Sequence, residues 1–193
     1  MDKKYKVAIF ASGSGTNAER FFEHFKNHKQ IEVALLLSNN PKAFVLERAK
    51  KAAVPARVFD KQQLKEGEVL RWLSEAGITH IVLAGFLWLI PDNLLHAYPE
   101  QIINIHPALL PKYGGKGMYG AKVHEAVQEA DEMETGITIH LVNQHYDKGA
   151  ILFQAKTQLD KNDTPDEIAI KVHKLEYIHY PVVTEKWILG EQP

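Results

Sequence analysis

Cysteine is absent from this 193-residue chain, which excludes disulfides, thiolate nucleophiles and cysteine-held metals at once. An excess of either charge is missing too, since 23 lysines and arginines stand against 24 aspartates and glutamates. Such a balance does not suit a phosphodiester backbone or an anionic membrane as main partner. Long apolar runs are also lacking: the longest, IVLAGFLWLI from Ile81 to Ile90, falls well short of the ~20 residues that span a bilayer. The opening MDKKYKVAIF meets serine and glycine before any signal-peptide apolar region develops. No repeat, low-complexity tract or linker-like stretch interrupts the chain. The expectation is a cytoplasmic protein without nucleic-acid or membrane partner, folded as one domain over residues 1–193 around a single core.

What is present is a β-α-β rhythm: through the first hundred residues, short apolar runs alternate with amphipathic stretches, the signature of a parallel sheet. KVAIFAS (6–12), EVALLLSN (32–39), ARVF (56–59), HIVLAGF (80–86) and QIINI (101–105) read as strands. NAERFFEHFKNH (17–28), PKAFVLERAKKA (41–52, proline at its start) and KQQLKEGEVLRWLSEAG (61–77) read as helices, the last with an awkward Gly67 inside it. Leu70, Trp72 and Leu73 in that helix are candidate core residues, and PDNLLHAYPE (91–100) reads as a short helix or turn. HIVLAGF is so uniformly apolar that both its faces should be covered.

Later the character changes. GITIHLV (136–142) alternates like a half-buried strand, and GAILFQAKT (149–157) follows the loop NQHYDK, so the two are expected to pair antiparallel. Thr164 and Glu167 have capping-box spacing ahead of a long helix with Pro165 at its first position, and Pro181 is a place where that helix can bend. The expected fold class is therefore α/β: a Rossmann-like, mainly parallel sheet flanked by helices, with a C-terminal antiparallel strand pair and a long last helix.

Two clusters carry candidate chemistry. In ASGSGTNAERFF, small residues sit where a strand turns into a helix, and the free N–H groups there favour an anion. The loop is not a P-loop. Gly13, Gly15 and Ala18 satisfy G-x-G-x-x-A, but no carboxylate ends the second strand to hold a ribose hydroxyl, so a lone phosphate suits it better than a dinucleotide. A tight turn that needs glycine and binds nothing remains the alternative.

The second cluster is NIHPALLP. Asn104 and His106 are two apart, so in extended chain their side chains point the same way. Together they offer an amide donor and a group that carries a proton near neutral pH, a combination suited to an oxyanion forming on a carbonyl. Neither is a good carbonyl nucleophile, so the nucleophile belongs to a substrate. Asp147, in NQHYDKGAIL, is the best candidate to keep His106 charged, and Gly149 after it would let backbone come close. A strand-end histidine bonded to backbone and an ordinary turn aspartate are the competing readings, and pattern alone leaves both open. Both clusters follow strands and are expected to share a crevice at the strands' carboxyl ends. His140, of opposite parity to Ile137, Ile139 and Leu141, either supports His106 or faces solvent. His24 and His28 have helical spacing, but Phe25 stands where H-E-x-x-H needs glutamate, and no metal is expected.

SGSGTN, LAGF, NIHPALLPKYGG, GITIHLV, YDKGAILFQ and EYIHYP, in this order from Val7 to about Trp187, resemble the phosphoribosylglycinamide formyltransferase family of the folate-dependent formyltransferases. The resemblance implies transfer of a formyl group from 10-formyltetrahydrofolate to the glycine amine of phosphoribosylglycinamide, in purine biosynthesis, by a monomer or homodimer. It implies a phosphate-binding half over residues 1–100 and a catalytic and folate-binding half over 101–193. Relatives with a C-terminal tRNA-binding extension or an N-terminal regulatory domain would not fit in 193 residues. The family's catalytic set falls on Asn104, His106 and Asp147: Asn104 and protonated His106 serve the oxyanion, His106 as general acid, and Asp147 keeps His106 charged. Gly15, Thr16, Asn17, Ala18 and Glu19 match the ribonucleotide site, and His173, Lys174, Leu175 and Glu176 match a second substrate segment. Leu87, Trp88, Leu89 and Ile90, with Asn143, Gln144, His145, Tyr146 and Asp147, match the walls of the pterin site, which Asn104 also touches.

The chain departs from the family in three places. Trp88 stands where relatives carry an arginine, so no ionic contact is expected there, and Gln62 stands at the position of a folate-contacting arginine, so the donor's acidic tail is expected to be held otherwise. GGKGMYGAKVHEAV replaces the usual segment after LLPKY, and KYGGKGMYG is expected to be a mobile loop without ligand contacts. Two other functions fit parts of the pattern: a non-catalytic sugar-phosphate binding module, which has no use for His106 and Asp147 together, and a hydrolase that releases formate with water as nucleophile.

Overall fold

Val7 to Phe10 are wholly withdrawn from solvent, as a strand covered on both faces must be. They belong to β1 (Tyr5–Phe10), which pairs in parallel with β2 (Ile31–Ser38) on one side and β4 (His80–Leu83) on the other, while β2 pairs in parallel with β3 (Ala56–Val58). The computed structural model describes residues 4–192; Met1–Lys3 and Pro193, the outermost ends of the expected domain, lie outside the described residues. Among the described residues the sheet has seven strands in the order β3-β2-β1-β4-β5-β6-β7. This is the mostly parallel sheet expected from the sequence. The chain divides into two compact units, one ending at Ile103 and the other beginning at Asn104, within β5 (Ile102–His106).

In the first unit, α1 (Thr16–Phe25) buries Ala18, Phe21, Phe22 and Phe25, the i, i+3, i+4, i+7 stripe that binds a helix to a core. His28 closes the turn after it, its Nδ1 accepting from the N–H groups of Gln30 and Ile31. α2 (Val45–Lys51) starts four residues after Pro41, where the sequence placed its beginning. Asn40 explains the delay: its side chain accepts from Lys42 N at 3.0 Å and its carbonyl from Ala43 N at 3.1 Å, so a turn occupies the expected first turn of helix. The single helix expected over 61–77 is two, α3 (Lys61–Lys65) and α4 (Glu68–Glu75), because Gly67 adopts the left-handed conformation with φ 91°. β4 stops at Leu83 rather than Phe86, short of Gly85, also left-handed. α5 (Asp92–Ala97) completes the unit.

In the second unit, β6 (Glu134–Leu141) and β7 (Ile151–Gln158) pair antiparallel, as expected. β6 is not half-buried, however: every residue from Thr135 to His140 is buried. Its polar positions alternate because Thr138 and His140 serve a buried polar cluster rather than water. α6 (Ala121–Glu129), which was not anticipated, buries Val123, His124 and Val127. α7 (Pro165–Leu189) carries the full Thr164–Glu167 capping box and continues through Pro181. Among the described residues no helix is long and apolar enough to cross a membrane.

Candidate active site

β5 ends in Asn104 and His106, and β6 carries His140 beside them. His140 Nδ1 lies 2.8 Å from the Leu141 carbonyl, so this nitrogen holds a proton and donates it. In the neutral ring its Nε2 is then an acceptor, and the Asn104 amide nitrogen stands 3.2 Å away as donor. That bond fixes which way the Asn104 amide faces and leaves its second N–H for another partner. Asp147 joins both histidines: its Oδ2 is 3.6 Å from His106 Nδ1 and its Oδ1 is 3.5 Å from His140 Nε2. The three residues singled out in the sequence thus meet in the second unit, with His140 as a fourth member facing inward.

The loops that deliver these groups need close backbone contact. A Cβ on Gly149 would lie 1.6 Å from the Leu141 carbonyl oxygen, so glycine alone lets the NQHYDK loop turn back onto β6 there. Asp147 itself is left-handed, φ 55°, and Gly115 N donates to its Oδ2 at 2.9 Å. His106 Nε2 donates to the Tyr113 carbonyl at 2.7 Å. Thr138 pins the segment between: its hydroxyl donates to the Ala108 carbonyl at 2.7 Å and accepts from Leu110 N at 3.0 Å and from the Gln154 amide at 2.9 Å. The beginning of KYGGKGMYG, expected to be a mobile loop, is therefore part of the site's frame. Tyr113, Gly115, Thr138 and Gln154 were missed; the polar alternation Thr138, His140 on a buried strand was the available signal.

Burial sets the charges. It pushes the Asp147 carboxyl up, but His140, the charge of His106 and the Gly115 N–H outweigh it and hold the group below the usual carboxylate value. Asp147 is ionised at neutral pH. Burial also pulls His106 down, and here it prevails over Asp147 and the Tyr113 carbonyl, which raise it; His140 lowers it further. Asp147 thus raises the His106 affinity for protons, but with only 3% of His106 exposed burial outweighs it. A proton reaching Nδ1 would sit on a stronger acid than ordinary imidazolium, directed at a carboxylate.

In the first unit, Gly15 caps α1 in the left-handed conformation, φ 75°, and Thr16 to Glu19 form the helix's first turn. A Cβ on Gly15 would stand 2.2 Å from Val45 Cγ2, so α2 leans directly on the loop. Val45 N donates to the Gly13 carbonyl at 3.2 Å and Arg48 Nε to the Ser14 carbonyl at 2.9 Å. The Arg48 guanidinium also pairs with the Glu19 carboxylate and stacks over Phe44 at 5.0 Å. Glu19 is thus engaged by Arg48, a residue the sequence did not mark. Ser12 ties the same loop to the next strand's end, its N–H donating to the Gly85 carbonyl at 3.1 Å and its hydroxyl accepting from Leu87 N at 3.3 Å.

Of the remaining marked residues, Leu87 and Leu89 are exposed, and Trp88 is half-exposed among Phe59, Phe86 and the Lys61 ammonium, while Ile90 is core. Gln62 is exposed and donates to Glu66 at 3.0 Å, at the edge of an open depression of about 570 Å³ that includes Arg71. In the second unit Asn143 accepts from His145 N at 2.9 Å, and Gln144, His145 and Tyr146 are exposed. On α7, His173 and Lys174 are exposed, Leu175 is half-buried and Glu176 is buried; His173 stacks on Tyr177 and meets buried His124 edge-on. Among the described residues no group of histidines and carboxylates is arranged to hold a metal.

Residues 5–184 match the family described as formyl transferase. A chloroplastic phosphoribosylglycinamide formyltransferase of Arabidopsis thaliana is 41% identical over 90% of this chain, which spans 63% of that protein's length, under two thirds of it. A phosphoribosylglycinamide formyltransferase of Bacillus subtilis is 37% identical over 96% of this chain and 95% of its own. A crystal structure of phosphoribosylglycinamide formyltransferase from Bacillus halodurans superposes with a TM-score of 0.86 at 37% identity, covering 95% of both chains. A polar cluster built around an Asn-x-His strand end, in a chain alike along nearly its whole length, leaves one conclusion: this chain belongs to the formyl transferase family, with the phosphoribosylglycinamide formyltransferases as its relatives.

Proposed function

We propose that this chain transfers the formyl group of 10-formyltetrahydrofolate to the glycine amine of phosphoribosylglycinamide, a step of purine biosynthesis. One observation carries the reading: Asn104, His106, His140 and Asp147 lie together in a single polar cluster in a chain whose relatives bear that activity in their names. The amine supplies the nucleophile. As it attacks the formyl carbon, the carbonyl oxygen gains negative charge, and the free N–H of the Asn104 amide and a proton on His106 Nδ1, the ring nitrogen not held by the Tyr113 carbonyl, meet it; such donors are each worth roughly 10²–10³ in turnover. The new C–N bond forms, the bond from the formyl carbon to the donor's nitrogen breaks, and the amine's proton leaves for that nitrogen. Asp147, ionised and between the two histidines, is suited to pass it through water.

The loop from Gly13 to Asn17 takes the acceptor's phosphate on its N–H groups. The first unit thereby binds and the second reacts, which gives a division of labour to the halves expected from the sequence. For the donor, exposed Leu87 and Leu89 in the first unit supply apolar surface that fits an aromatic pterin. The cysteine-free composition suits the cytoplasm.

The test supplies 10-formyltetrahydrofolate with and without phosphoribosylglycinamide and follows tetrahydrofolate release. Release that requires the ribonucleotide is expected. Release without it would mean hydrolysis to formate, and none at all would leave a binding module.

A further inference from the structure

Tyr113 stands in a conformation that aromatic residues seldom take, left-handed with φ 56°. Its surroundings must therefore hold it there. Its main chain faces the reacting cluster, where the carbonyl accepts from His106 Nε2 at 2.7 Å. Its side chain runs the other way: the hydroxyl donates to Glu132 Oε1 at 2.8 Å, and Lys112 Nζ donates to the same oxygen at 2.7 Å. Glu132 lies just ahead of β6, which carries His140, so the frame holding the tyrosine is the frame of the site. Burial and the adjacent carboxylate push the Tyr113 phenol up to about 12, which keeps the hydroxyl a donor throughout the working range.

We propose that Glu132 and Tyr113 are positioning residues for His106: Glu132, gripping the Tyr113 hydroxyl, holds the Tyr113 carbonyl against His106 Nε2. The carbonyl commits the Nε2 proton and turns Nδ1 toward Asp147, so that any second proton arrives facing the carboxylate 3.6 Å away. It also favours the charged form of the ring, because only a donor satisfies a carbonyl. The other groups that set this ring's charge are Asp147, His140 and, on α6, His124, which feels the charge of His106. Without the grip, Tyr113 is expected to relax out of the left-handed region, its carbonyl to leave, and the ring to lose both its orientation and part of its basicity.

The experiment follows the His106 ring by NMR through a pH titration in the parent protein and in Tyr113→Phe, Glu132→Leu, Glu132→Gln and Lys112→Met. Tyr113→Phe and Glu132→Leu are expected to move the His106 titration to lower pH and to mix its tautomers. Glu132→Gln, which still accepts from the tyrosine, and Lys112→Met, which leaves the tyrosine bond, should stay close to the parent. In turnover, which rests on the function proposed above, the first two variants should lose about three- to tenfold in kcat with KM within about twofold, and the alkaline limb of the rate profile should move to lower pH. A His106 titration unchanged in both Tyr113→Phe and Glu132→Leu overturns the proposal. If Tyr113→Phe lowers the melting temperature sharply, the Glu132→Leu and Glu132→Gln pair decides. A shifted ring in a parent protein without formyl transfer would uphold the positioning role and remove the proposed function instead.

Discussion

The two polar centres of the chain are assembled from different material. In the first unit the groups proposed to meet an anion are main-chain N–H groups at the start of α1, kept in place by contacts from Val45 and Arg48 to the carbonyls of Gly13 and Ser14. In the second unit the groups are side chains, three of them nine-tenths or more withdrawn from solvent: His106, His140 and Asp147. Backbone donors carry fixed partial charge and gain or lose no proton, which suits a phosphate that is only held. Buried imidazoles and a carboxylate have shifted affinities for protons, which suits a bond that is made and broken. Substitutions in the second unit should therefore strike turnover, and those in the first should strike affinity for the acceptor.

The largest effect expected is that of Asp147→Asn. The amide removes the charge facing both histidines, lowers the His106 affinity for protons still further, and takes away the group suited to relay the amine proton. A loss of about 10²–10⁴ in kcat is expected, with KM for both substrates changing little. Steady-state kinetics with each substrate varied would check it. A kcat within about threefold of the parent would mean that this cluster is not the reacting one.

Gly15→Ala comes next and should behave in the opposite sense. The added Cβ would meet the Val45 side chain at 2.2 Å and its Cα at 2.9 Å, and the left-handed φ of 75° adds strain to any residue other than glycine. Such strain is of the order of 1–3 kcal/mol, and it falls on the loop rather than on the cluster. The acceptor's KM should rise by about tenfold or more while kcat at saturation stays near the parent value. A fall in kcat alone would break the contrast between the units.

How far the sequence carries this contrast depends on the range of each contact. Continuous apolar runs announced β1, β2 and β4 because strands buried on both faces have no polar side to show, and Asn104, His106 and Asp147 stood out as polar residues at the ends of such runs. β6 misled for a related reason: Thr138 and His140 alternate with isoleucines as a solvent-facing edge would, yet the polar side is inside, turned toward Ala108, Leu110 and Asn104. The grip of Arg48 on Ser14 joins residues 34 apart and that of Glu132 on Tyr113 residues 19 apart. No local periodicity encodes such pairs, and both involve residue types that are ordinarily solvated. α6 was hidden behind four glycines in seven positions, from Gly114 to Gly120, although Val123 and Val127 have helical spacing.

Arg48→Met sharpens the comparison further. The methionine keeps much of the stem over Phe44 but loses the donor to Ser14 and the partner of Glu19, leaving a carboxylate uncompensated in the first turn of α1. An anion approaching those N–H groups then meets a like charge, and the acceptor's KM should rise several-fold, less than for Gly15→Ala because the backbone itself is not displaced. The effect should shrink when the acceptor carries no phosphate, which separates lost anion affinity from a general loosening of the loop. Equal effects on both acceptors would assign Arg48 to the fold alone.

The smallest effect belongs to Gly13→Ala, two residues from the position that should suffer most in the first unit. Nothing lies within 4 Å of where its Cβ would be, and its φ is outside the left-handed region. What the loop uses at Gly13 is the carbonyl that accepts from Val45 N, and alanine supplies the same carbonyl. Acceptor KM is expected to stay within about twofold of the parent and stability, read from the melting temperature, within about half a kcal/mol, the range of a neutral surface substitution. A marked rise in KM would place the phosphate over Gly13 itself, closer than any protein atom comes, and would mean that the open space beside this glycine is kept for the ligand.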